Sequence, residues 1–199
     1  MLRIFRSFFC LSVSRSESYL RMDRDVNREL VAVRIRQKAK MPLRSLAEDA
    51  NETGMDITWL TDRIAVGGGI WSSENMEQVA RAGVTHVIDM QIEFDDTPLG
   101  QEHGVAVLWN PTDDDFTMKP PELFQRGVNF AEAALDEAGT KVFIHCAAGV
   151  HRAPMMALAL LGSMGWDLEN AMQMIETRRP VADFAEVYVE SVERFLNRR

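Results

Sequence analysis

The chain has 199 residues and a formal charge of -8, from 30 acidic against 22 basic side chains, and 46% of its residues are hydrophobic. That size suits one ordinary globular domain plus a short extension, and the acidic balance argues against a general nucleic-acid or anionic-membrane binder. Two cysteines, Cys10 and Cys146, argue against a disulfide-stapled secreted fold and favour a reducing, cytoplasmic setting, and no stretch reaches the roughly 20 apolar residues that span a bilayer.

The first sixteen residues, MLRIFRSFFCLSVSRS, hold three arginines and no acid, a candidate targeting segment whose apolar part is interrupted by Arg6. Met22, Val26, Leu30 and Val33 recur at helical spacing within the charged stretch 21–40, which predicts a surface helix ending before Pro42. A second short helix is expected over Leu43 to Asn51. Residues 1–56 therefore read as an extension, largely helical from about residue 21, and residues 57–199 as the main domain.

That domain opens with two short strands, Ile57 to Leu60 and Ile64 to Val66, joined by a polar turn. The triplet Gly67-Gly68-Gly69 lacks a following Lys-Ser or Lys-Thr, so it reads as a turn into a helix over Ser73 to Ala82 and not as a nucleotide loop. Ser72 or Ser73 would cap that helix, with acids in its first turn. Strands are expected over Thr85 to Met90 and Val105 to Trp109. A long helix over Pro121 to Ala138 presents Phe124, Val128, Ala131 and Leu135, and Gly139 stops it. Next come a buried strand from Lys141 to Ile144 and helices over Ala153 to Leu161, Leu168 to Thr177 and Glu186 to Leu196. Arg178, Arg179 and Pro180 read as a basic helix end and a stop, with contact between either arginine and a phosphorylated substrate as the alternative. The alternation describes an α/β domain, a mostly parallel sheet flanked by helices.

The chemistry is concentrated in HCAAGVHRAP, residues His145 to Pro154. A compact turn between a buried strand and an apolar helix aims backbone N–H groups at one point, and the helix N-terminus adds its own donors. Ala147, Ala148, Gly149, Val150 and His151 would form this oxyanion cradle. Cys146 would lie at its base, where the same field favours a thiolate. Arg152 supplies the planar two-pronged donor that suits phosphoryl oxygens.

This segment resembles the signature of the cysteine-dependent protein tyrosine phosphatase superfamily, and residues 57 to 196 look most like its dual-specificity branch. The resemblance implies Cys146 as nucleophile, Arg152 and the loop as the phosphate site, and His145 as a supporting residue. It departs at Ala153, where many members carry a hydroxyl that assists the cysteine as leaving group. It also implies a general acid on a loop about thirty residues upstream, a neutral carboxyl that protonates the leaving oxygen. In WNPTDDDF, Asp114 lies 32 residues before Cys146 and Asp115 lies 31 before it, so both fit, with Asp113 third. Three adjacent carboxylates would raise one pKa by mutual repulsion. Trp109 and Phe116 are expected to pack that loop onto the core.

No cofactor and no metal site is implied. The expected substrates are proteins phosphorylated on tyrosine and on serine or threonine, or small phosphomonoesters. Alternatives are a phosphoinositide, phosphosugar or RNA-end phosphatase, or a phosphate-binding module with weak turnover.

Overall fold

The computed structural model describes residues 54–199. The helices expected over 21–40 and 43–51, the candidate targeting segment and Cys10 lie outside the described residues. Among the described residues no helix is long and apolar enough to cross a membrane.

Five strands form one sheet in the order β1-β2-β5-β3-β4: β1 is Ile57–Trp59, β2 Ile64–Gly67, β3 His86–Asp89, β4 Ala106–Trp109 and β5 Val142–His145. Only β1 runs antiparallel to its neighbour. Strands β2 and β5 are buried along their whole length, as expected for parallel strands covered on both faces. Their alternation divides the core in two. Ile64, Val66, Ile88, Val142 and Ile144 face one cluster, and Ala65, Val87 and Phe143 face the other.

Helix α1 (Ser73–Arg81) and helix α2 (Thr97–His103) accompany the second cluster. Ser72 caps α1 by accepting from the Asn75 N–H at 3.3 Å. Helices α3 (Pro121–Leu135), α4 (Arg152–Ser163), α5 (Leu168–Arg178) and α6 (Glu186–Leu196) cover the first. Residues Ala153 to Leu161 of α4 are buried without interruption, so this helix is apolar around its full circumference because other elements enclose it. Pro154 is tolerated there because a first-turn N–H has no intrahelical acceptor to lose.

Several boundaries differ from expectation. The helix predicted to reach Ala138 ends at Leu135, and Arg63 donates to the freed carbonyls of Leu135, at 2.8 Å, and Glu137, at 2.5 Å. The third and fourth strands are shorter, His86–Asp89 and Ala106–Trp109. Helix α2 was not expected from sequence, because it is short and Gly100 weakens its pattern. Gly100 is required by packing: a Cβ there would lie 2.3 Å from Val107 Cγ2 and 2.6 Å from the Val105 carbonyl.

Because β2, β5, β3 and β4 are mutually parallel, their C-terminal ends share one edge of the sheet. The segments 68–72, 90–97, 110–120 and 146–151 all leave from that edge, where open α/β sheets gather their ligand sites.

Candidate active site

Cys146 follows β5 and is 2% exposed, with the Gly149 N–H donating to its Sγ at 3.2 Å. The loop carbonyls explain how the turn presents donors. Ala147 O accepts from the Gly69 N–H at 3.1 Å, and Val150 O from the Asp183 N–H at 2.9 Å. Ala148 O and Gly149 O accept from Arg179 Nη2 and Nε, at 3.1 and 2.7 Å. Four successive carbonyls are thus tied from outside the loop. In a trans peptide the N–H points opposite to the carbonyl, so the amides that follow are turned inward. Gly149 has φ of +64°, and a Cβ there would lie 2.5 Å from the Gly67 carbonyl, so both backbone and space require glycine.

Arg179 braces the loop, whereas the sequence offered it only as a basic helix end or a contact to substrate. Its role as a basic helix end is secondary, for its side chain is 3% exposed and also pairs with Asp56, at 2.8 and 2.6 Å. The Gly67-Gly68-Gly69 turn likewise touches the loop through the Gly69 N–H.

Arg152 opens α4, and its two terminal nitrogens each donate to Glu93 at 2.9 Å. Nη1 also donates to the Thr112 carbonyl at 3.2 Å, while Nε is buried without a hydrogen-bond partner among the described residues. Burial works against its charge, but Glu93, Cys146 and Asp114 outweigh that and hold the guanidinium above its ordinary pKa. The same pair holds the Glu93 carboxyl below its usual range.

The two candidate acids are placed differently. Asp114 Oδ2 lies 3.0 Å from His151 Nδ1, and Oδ1 accepts from the Tyr188 hydroxyl at 3.0 Å, so Asp114 is joined directly to the Cys146 loop. The second imidazole nitrogen, Nε2, lies 3.2 Å from Asp183 Oδ2. Burial, with help from Asp114 and Asp115, pushes the Tyr188 phenol up to about 12. Asp115 turns the other way, onto Lys119 Nζ and both the N–H and hydroxyl of Thr117. Those contacts, Lys119 first, lower its pKa to about 2, the reverse of the rise expected from three adjacent carboxylates. A local cation outweighs repulsion from exposed neighbours.

Phe116 packs one face onto the core through buried Tyr188, as expected, while Trp109 does not pack inward. Phe116 is 54% exposed and stacks on Tyr188 at 5.7 Å and 12° between planes, while the partly exposed Trp109 donates to the Gln91 carbonyl at 2.8 Å.

Beneath the loop, His145, Asp89 and Asp96 are fully buried together. Their ligand atoms lie within 4.8 Å of one another. His145 Nε2 is 2.8 Å from Asp96 Oδ2, an ion-pair distance whose alignment falls short of a good hydrogen bond. His145 Nε2 is also 3.7 Å from Asp89 Oδ1, and neither nitrogen of His145 nor either oxygen of Asp96 has a hydrogen-bond partner among the described residues. Burial, reinforced by Asp96 and opposed by His145, raises the Asp89 pKa to about 7. The unfolded carboxyl ionises near 3.8, so between that pH and about 7 the folded state keeps a proton that the unfolded chain has released. Stability from this group is therefore lost as pH rises through that window. Asp89→Asn should remove about 2–3 kcal/mol of stability loss between pH 5 and pH 7. Urea unfolding of both proteins at the two pH values measures it, and equal slopes would refute it.

Over residues 69–195 the chain matches the family described as "Dual specificity phosphatase, catalytic domain". Human protein tyrosine phosphatase type IVA 3 is 35% identical over 107 residues, 52% of this chain and 60% of that protein. Mouse protein phosphatase Slingshot homolog 3 is 29% identical over 116 residues, 57% of this chain and 17% of that protein. The chain thus spans less than two thirds of these relatives. Among solved structures, PTPMT1 in complex with PI(5)P superposes with a TM-score of 0.65 at 21% identity, over 71% of this chain and 95% of that one. Human DUSP28 gives 0.58 at 24%, over 71% and 93%. These likenesses establish a phosphatase-type α/β fold. The family match runs from the glycine turn beside the cradle to the last helix, and by it the chain belongs to the dual specificity phosphatase catalytic-domain family.

Proposed function

We propose that residues 57–199 form the catalytic domain of a phosphomonoester hydrolase that works through a cysteinyl-phosphate intermediate, with phosphorylated proteins as substrates. The observation that carries this reading is the set of four outward-tied carbonyls around Cys146, which leaves loop amides to receive an oxyanion. Cys146 sulfur attacks phosphorus and the ester P–O bond breaks. Arg152 and the loop amides hold the equatorial oxygens, with Arg152 Nε as a donor in reserve. Asp114 protonates the leaving oxygen. It then takes a proton from the water that breaks the P–S bond, releasing inorganic phosphate. Ala153 offers no hydroxyl to the departing sulfur, which leaves the Gly149 N–H as its donor.

Asp114 is favoured over Asp115 because an acid held near pKa 2 by Lys119 has no proton to give at working pH. Asp114→Asn should lower kcat on phenyl phosphate about 10²-fold or more, with a much smaller loss on dinitrophenyl phosphate, whose leaving group needs little protonation. Asp115→Asn should change both rates within about twofold. The opposite ranking would move the acid to Asp115, and no effect of either would turn attention to Asp113. Intact-mass measurement of Asp114→Asn during turnover tests the covalent step. A phosphoryl group on Cys146 is expected, and turnover with no such adduct would refute the intermediate.

A further inference from the structure

The five segments that rim the cradle, 68–72, 91–97, 110–118, 147–151 and 180–185, contain no lysine or arginine. They carry six carboxylates with solvent access: Glu93, Asp95, Asp113, Asp114, Asp115 and Asp183. Of the bordering cations, Arg152 pairs with Glu93 and Lys119 with Asp115, Arg179 pairs with Asp56, and the exposed Arg126 donates to Asn110; the other four carboxylates have no lysine or arginine partner among the described residues, Asp114 and Asp183 both facing His151. The rim also holds exposed apolar side chains. Trp71 and Phe94 meet at 6.4 Å, with Ile92 beside the Arg152 partner Glu93, and Val181 lies near Asp183.

Phe116 is the most telling of these. It has φ of +54°, a left-handed conformation costly for a bulky residue. The Tyr188 hydroxyl accepts from its N–H at 3.0 Å, and its ring lies edge-on to His151 at 5.1 Å. The fold thus holds a half-exposed aromatic face beside the phosphate loop at a backbone cost. An aromatic ring bearing the phosphoryl group is the complement of that face. Basic neighbours are the complement of the carboxylates, and additional phosphates would meet repulsion from a rim on which the carboxylates outnumber the cations.

Resting on the phosphatase reading, we infer that the substrate is a phosphotyrosyl protein segment flanked by basic and apolar residues, not a phosphoinositide or a multiply phosphorylated segment.

The test compares kcat/KM of the full chain on matched phosphotyrosyl peptides with lysine or glutamate flanks, a phosphoseryl counterpart, and vesicles containing phosphatidylinositol bisphosphate. In parallel, fluorescence anisotropy measures peptide binding to Cys146→Ser, which reads recognition without turnover. The lysine-flanked peptide should be preferred by about tenfold or more, and the preference should shrink toward unity in 0.5 M salt. Asp113→Lys should cut that ratio, and Phe116→Ala should cut the advantage of phosphotyrosine over phosphoserine, each by about threefold or more. Equal or inverted flank preference in both assays would overturn the inference, as would faster turnover of the vesicles than of any peptide. Preserved binding preference without wild-type turnover, even on a small aryl phosphate, would instead sink the enzymatic reading and leave the recognition inference standing.

Discussion

Cys146→Ser should lower kcat on an aryl phosphate by about 10³-fold or more while leaving the fold and oxyanion binding intact. The side chain is almost wholly buried, and oxygen for sulfur is a small change in volume, so the packing of β5 against α4 is expected to survive. What is lost is nucleophilicity, since the alcohol does not ionise in the range where a thiolate forms. Circular dichroism and phosphate binding by calorimetry control for folding, and steady-state kinetics reads the effect. Retention of more than about a tenth of the activity would remove Cys146 from the proposed nucleophile role.

Arg179→Ala should damage stability and turnover together, although Arg179 touches no substrate in the proposed mechanism. Its removal leaves the buried carbonyl of Gly149 and the part-buried carbonyl of Ala148 without their donor, and an unpaired buried group costs about 1–3 kcal/mol. Part of this would be recovered by water, and Asp56 is exposed enough to be solvated again. A net destabilisation of about 2–4 kcal/mol is expected. The freed peptides would also turn their N–H groups out of register, for a further loss of about 10²-fold in kcat/KM where geometry is off by about 1 Å. Arg179→Lys keeps charge but not the fork that spans both carbonyls and Asp56, so its turnover should fall nearly as far as its stability holds. Chemical denaturation and kinetics on both variants separate the two effects. A stable Arg179→Ala protein with unchanged kcat/KM would refute the bracing role.

The cradle segment could be read from sequence because strand, turn and helix lie within a few residues of one another. The buried strand Val142 to Ile144, the left-handed Gly149 and the apolar helix after Arg152 each follow from local pattern. Most of the other elements were visible through periodicity and glycine stops. Helix α2 was not, since Gly100 suits it only against β4. The contacts of the acidic loop were hidden for a different reason. Asp114, Asp115 and Asp113 are the same residue type in a row. Lys119, Thr117, His151 and Tyr188 distinguish their environments, and His151 and Tyr188 are supplied by other elements.

The sequence by itself determined the α/β class, the cradle and its chemical type, because these depend on short-range backbone conformation and on burial patterns of period two and 3.6. Tertiary structure decided what braces the loop, which acid faces it and what surrounds it. Arg179 meets Asp56 across 123 positions, Arg152 meets Glu93 across 59, and Tyr188 meets Asp114 across 74. Such pairings follow from the parallel strand order that gathers four segments at one sheet edge, and no local periodicity encodes that order.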